Sequence, residues 1–97
     1  MTIAAEDTFE KDPNSIENFA VDWTAYLAAL SGSPTISTSS WIVPSGLTTV
    51  ESSNTTTKAI VKLSGSQRGK DYVVTNRIVT SDGQTLDHSI LIQARDQ

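Results

Sequence analysis

A chain of 97 residues has room for one compact domain, and its core must come from a few large side chains. The formal charge of −4 conceals an asymmetry: residues 1–22 hold six acidic groups against Lys11 alone, while residues 23–97 hold five acidic and six basic groups. No basic stripe of the kind that grips nucleic acid is present, no apolar run approaches the ~20 residues that span a bilayer, and the absence of cysteine excludes disulfides and thiolate chemistry.

Serine and threonine fill 26 positions, beside seven valines and eight isoleucines. That mixture disfavours long helices and suits strands, whose pleated surface accepts β-branched side chains. The opening residues, Met1 to Asp7, lack the basic patch and apolar stretch of a signal peptide, which predicts a soluble, unexported protein made in a reducing cytoplasm. Residues 1–15 read as an acidic N-terminal arm, with a short strand around Ile3 to Phe9. The arm ends in a turn at Lys11-Asp12-Pro13-Asn14-Ser15, because proline cannot donate to a ladder and pushes its predecessor into extended geometry.

Residues 16–94 read as the domain proper. Phe19, Val21 and Trp23 alternate with smaller or polar residues, the period of a half-buried strand. Tyr26, Leu27 and Leu30 then follow helical spacing, which predicts a turn or two of helix stopped by Ser31-Gly32-Ser33-Pro34. Thr35 to Val43 is the next strand, with Trp41 and Val43 on one face, closed by Pro44-Ser45-Gly46. Leu47 to Glu51 predicts a short strand, and the polar cluster Ser52 to Thr57 predicts a loop. Ala59, Val61 and Leu63 mark another strand, and after a Gly65 to Gly69 loop Tyr72, Val74 and Ile78 share a face with Asn76 between them. Asp82-Gly83 signals a hairpin, and Leu86 to Gln93 returns with His88, Ile90 and Ile92 on one side, leaving residues 95–97 as a tail.

About seven short strands with one helical turn predict an all-β, immunoglobulin-like antiparallel sandwich. Its expected core is Phe19, Val21, Trp23, Trp41, Val61, Leu63, Tyr72, Val74, Ile78, Ile90 and Ile92. The approach from Leu63-Ser64-Gly65 to Tyr72 resembles a tyrosine corner, in which the phenol pins the loop before its strand.

Nothing in the chain assembles a reaction. His88 is the single near-neutral base, Asp87 beside it points to the opposite face, and no G-x-S-x-G elbow exists. Gly65 to Asp71 is only superficially like a phosphate loop, since its glycines are one position too close and a strand follows it. The acidic residues beyond the arm are scattered, and no calcium loop is spelled out. Trp23, Trp41 and Tyr26 offer a sugar-stacking platform only if they face outward, whereas the alternation turns both tryptophans inward. The expectation is a non-enzyme with no catalytic residue, no metal, no cofactor, and neither nucleic acid nor membrane as partner.

Three stretches carry a resemblance. Lys11-Asp12-Pro13-Asn14-Ser15 followed by Phe19-x-Val21-Asp22-Trp23-Thr24-x-Tyr26-Leu27 resembles a K-D-P-x-x…Y/F-x-x-D-W-S-x-W-L stretch of small virion proteins of tailed phages. Ile36-Ser37-x-Ser39-x-Trp41-x-Val43-Pro44-x-Gly46-Leu47 is similar to their I-x-x-S-x-W-x-V-P-x-G-L segment. Tyr72 to Thr80, followed by Gly83 and the closing strand, is similar to their Y-x-V-T-N-x-I-T-T hairpin. Tyr26 stands where that family often has a second Trp, and Thr24 where it often has Ser.

The family is that of phage fibre–tail adaptors with an immunoglobulin-like fold. The resemblance implies a virion component, present in several copies, linking the N-terminus of a tail fibre to the tail or baseplate. The arm then becomes the expected contact, with Phe9, Lys11, Asp12 and Pro13 as partner-binding residues. The competing expectation is an accessory domain that decorates the particle or binds host glycans.

Overall fold

The computed structural model describes residues 8–95. The elements are β1 (Thr8–Lys11), β2 (Glu17–Asp22), α1 (Thr24–Ala29), β3 (Ile36–Ile42), β4 (Leu47–Asn54), β5 (Lys58–Gly65), β6 (Asp71–Thr80) and β7 (Thr85–Ala94). They form two sheets, of order β1-β7-β6-β3 and β2-β5-β4, packed face to face. The strongest sequence signal is also the most regular strand: in β6, Tyr72, Val74, Asn76, Ile78 and Thr80 all point inward and are buried. Across the interior lie Phe19 and Val21 of β2 and Ala59, Val61 and Leu63 of β5. Ile36, Ile90, Ile92 and Ala94 complete the first sheet's inner face, while Trp41 is only partly buried and packs against the cluster. Each buried Val, Leu, Ile or Phe contributes roughly 1.5–3 kcal/mol, so this inner set is the main source of stability. α1 presents Leu27 to the core and follows Trp23, also buried. Asp22 starts it, its Oδ1 accepting from the Thr24 N–H at 2.9 Å.

The expected all-β sandwich of seven strands with one short helix is what the structure shows, with details that the sequence did not announce. Among the described residues the ladders are antiparallel except one: β1 runs parallel to β7, Thr8 opposite Leu91 and Lys11 opposite Ala94. A parallel pair requires a long crossover, and here the rest of the domain supplies it. Residues 8–11 of the expected arm thus form a strand of the first sheet, and the part of the arm before Thr8 lies outside the described residues. Of the expected tail, Arg95 is tied to the sheet, its N–H donating to the Lys11 carbonyl at 3.0 Å and its guanidinium to Asp71 at 3.1 Å, and residues 96–97 lie outside the described residues. Finally, the loop expected at Ser52 is strand: β4 continues to Asn54, with Ser52 opposite Val61 and Asn54 opposite Ala59. β4 lies at a sheet edge and is exposed from Thr48 onward, so no buried face imposes alternation on its sequence.

Candidate partner interface

Two buried polar nodes hold the sandwich together. In the middle, Asn76 is fully buried and uses each of its polar positions. Its Oδ1 accepts the indole N–H of Trp23 at 2.8 Å, while its Nδ2 donates to Ser39 Oγ and to the Ser40 carbonyl, each at 3.0 Å. Trp23 in turn packs edge-on against Tyr26 and His88, with centroids 5.7 and 5.9 Å away. The node therefore ties the α1 entry to both β3 and β6.

The second node closes one end. Lys11 is fully buried, and its Nζ donates to the carbonyls of Asp12 (3.1 Å), Ser15 (2.7 Å) and Gly65 (2.7 Å). Burial pushes the ammonium below its ordinary pKa, while Glu17 and Asp12 nearby pull the other way. Gly65 sits against Gly46, whose carbonyl accepts the Ser66 N–H at 2.8 Å. Gly46 has φ +106°, and a Cβ there would meet the Tyr72 ring at 2.9 Å, so glycine is required on both counts. The Tyr72 hydroxyl accepts the Gln67 N–H at 2.9 Å, the loop-pinning bond expected of a tyrosine corner.

Each of the three family-like stretches sends one residue to each node. Lys11, Gly46 and Tyr72 meet at the end; Trp23, Ser39 and Asn76 meet in the middle. Those motifs specify the fold rather than a pocket. Sequence reasoning gave Gly46 and Gly65 turn positions only and assigned Ser39 and Asn76 no role. The one local signal was the polar Asn76 interrupting an apolar strand face.

The expected partner-binding set is placed as follows. Phe9 is half-buried and packs edge-on against Phe19 with centroids 5.7 Å apart; Lys11 is wholly interior. Asp12 and Pro13 keep part of their surface in the connecting turn, where Asp12 Oδ1 accepts the Asn14 N–H at 2.8 Å. Two members of the set thus belong to the packing of the domain. Trp23 is buried, which removes the sugar platform, and Asp87 faces away from His88 to pair with Arg77 through two bonds of 2.8 and 2.9 Å.

What remains for contact is the outer surface and the sheet edges. On the outer face of the first sheet, Ile42 and Val73 are each 49 % exposed, and Leu91 lies opposite Val73. This apolar strip is bounded by the Arg77–Asp87 and Arg95–Asp71 pairs. The edges differ. β1 is four residues long, β2 carries Glu17 and Asp22 at its ends, and β4 is broken by a register shift between Thr49 and Glu51. β3 carries no charge, and from Thr38 to Ile42 it pairs residue for residue with β6. Its Trp41 Nε1 is buried without an acceptor among the described residues.

A family model described as podophage GP4 fiber-tail adaptor protein gp77 matches residues 11–93. No curated protein matches the chain. The matched span starts at the buried lysine of one node, ends one residue short of the close of β7 and contains both nodes entire, and on that match the chain belongs to the podophage fiber-tail adaptor family.

Proposed function

We propose that this protein is a rigid joint of the virion tail that connects a tail fibre to the tail through contact alone, without catalysing a reaction. The observation that carries the reading is the family match over residues 11–93. The structure is consistent with it in physical terms. The shared motif residues are spent on two buried nodes that stiffen the sandwich, which suits a spacer that must transmit force without deforming. The strand orders β7-β6-β3 and β2-β5-β4 support an immunoglobulin-like reading of the sandwich, an architecture that leaves two flanks free for partners. Several copies per particle, one for each fibre attachment, follow from the same reading. Of the expected partner-binding residues, Asp12 and Pro13 retain the surface to touch a neighbour.

The test is reconstitution. The purified protein, mixed with the fibre and tail proteins of the same phage, should bring both into one complex on size exclusion, and cryo-microscopy of the particle should show the sandwich between them. A particle whose fibre joins the tail with no such domain at the junction would overturn the proposal.

A further inference from the structure

We propose that β1, β7 and the Lys11 node form a load-bearing clamp: tension applied to the chain on either side of the domain, ahead of Thr8 and beyond Arg95, is met in shear. The inference goes beyond the adaptor reading and does not depend on which partners the chain meets.

Strand direction decides how a ladder takes load. β1 and β7 are the first and last strands among the described residues, and they run parallel, Thr8 opposite Leu91 and Lys11 opposite Ala94. The chain therefore enters at one end of their ladder and leaves at the other. Opposed pulls on the two sides run along the strands and across their hydrogen bonds, so the bonds of a ladder about 13 Å long resist together. The remaining ladders among the described residues are antiparallel. There, adjacent strand ends drawn apart load the bonds one after another, and each bond fails alone.

β1 is short, and its side chains add grip. Phe9 packs edge-on against Phe19 of β2 with centroids 5.7 Å apart, and Lys11 Nζ donates to the Gly65 carbonyl at the end of β5 at 2.7 Å. Both partners belong to the second sheet, so β1 is hydrogen-bonded into one sheet and anchored by side chains in the other. After Lys11 the chain turns at once: Nζ also holds the Ser15 carbonyl at 2.7 Å, and the Ser15 N–H donates to the Asp12 carbonyl at 3.0 Å. At the exit the Arg95 N–H donates to the Lys11 carbonyl at 3.0 Å, which extends the contact past the ladder. β7 is held on its other flank by β6, from Val79 opposite Thr85 to Asp71 opposite Gln93. β1 is thus the strand that has to slip. Slipping drags the ammonium out of its three carbonyls and Phe9 past Phe19 in the same step.

The chain contains no cysteine, so introduced thiols fix the points of pull. Full-length protein is held at constant force, either by handles at its two termini or by handles on Asp22→Cys and Lys58→Cys, an exposed pair facing each other at one end of the antiparallel β2–β5 ladder. At equal force the terminal geometry should unfold at least ~10-fold more slowly than the cross-strand one. Lys11→Met and Phe9→Ala should each speed unfolding about 10-fold between the termini and less than about twofold across β2 and β5, because only the first geometry breaks those contacts before it yields. Wild-type traces give a readout that needs neither variant to fold: the terminal geometry should extend in one step. An early lengthening of up to about 30 Å, the reach of residues 8–16 set free, shows β1 slipping at low load and overturns the inference. Terminal unfolding as fast as unfolding across β2 and β5 does the same. Slow terminal unfolding that neither variant accelerates places the resistance elsewhere and overturns the clamp. None of these outcomes bears on the adaptor reading, which stands or falls with the reconstitution.

Discussion

At mid-sandwich Asn76 is a neutral amide whose oxygen and both N–H groups are engaged; at the sandwich end Lys11 is a buried cation held by three carbonyls. Both bridge segments more than fifty residues apart, Trp23 to Asn76 and Lys11 to Gly65. The chemistry differs because the settings do. Between two sheets a charge would lose its hydration, so a neutral group with fixed partners is the stable choice. At the end, the β1–β2 turn can wrap an ammonium in main-chain oxygens and set Asp12 and Glu17 close enough to offset part of its desolvation. One node fixes how the sheets stack; the other fixes where the chain crosses between them.

Removing the amide should produce the largest loss. Asn76→Ala leaves the Trp23 indole N–H and the Ser40 carbonyl without their partner and opens a cavity in the core. A destabilisation of about 3–4 kcal/mol is expected in urea unfolding, with the Trp23 environment perturbed in fluorescence. A loss below about 1 kcal/mol would mean that the middle node is ornamental and the sheets are held by apolar packing alone.

Lys11→Met should cost less, about 1–3 kcal/mol, because it orphans the Ser15 and Gly65 carbonyls yet also removes a buried charge. The sign of its pH dependence separates the two effects. A lysine whose folded pKa lies below its unfolded value binds its proton less tightly when folded, so stability rises with pH from the folded pKa up to the unfolded value near ~10.4. The stability difference between wild type and Lys11→Met should therefore widen in wild type's favour across that alkaline window. A flat difference would show that burial does not strain the ammonium.

The same contrast explains what could be read in advance. β6 was legible because a buried inner face imposes period two on its sequence, and β7 followed from the Asp82-Gly83 turn. Ser52 to Asn54 was not, since an exposed edge strand is held by main-chain bonds to β5 that leave no trace in side-chain pattern. Lys11 was misplaced on an arm because a charge reads as solvent-facing; only the Gly65 carbonyl, distant in sequence, makes it interior. The parallel pairing of β1 with β7 likewise joins the two ends of the chain and has no local signature. The family motifs were visible as spacing, but spacing cannot show that Lys11, Gly46 and Tyr72 converge.

The smallest effect sets the interior against the surface. Asp87 is held below the usual carboxylate range chiefly by its hydrogen bonds from Arg77, Asp82 chiefly by the Thr80 hydroxyl, and Asp22 chiefly by the Thr24 hydroxyl. A carboxylate with a depressed folded pKa contributes stability that is present above its unfolded value of about 3.9 and is lost as pH falls through the folded one. All three side chains are solvent-facing, so each contribution is small and screened by salt. The urea midpoint should thus decline modestly below about pH 4, and Asp87→Asn should flatten part of that decline. Asn76→Ala should lower the whole profile without changing its acid slope, because the hydrogen bonds of the middle node run to an indole, a hydroxyl and a carbonyl, none of which titrates in that range. If the slope steepens instead, the two layers are coupled, and the division into a neutral dry interior and a titrating shell fails.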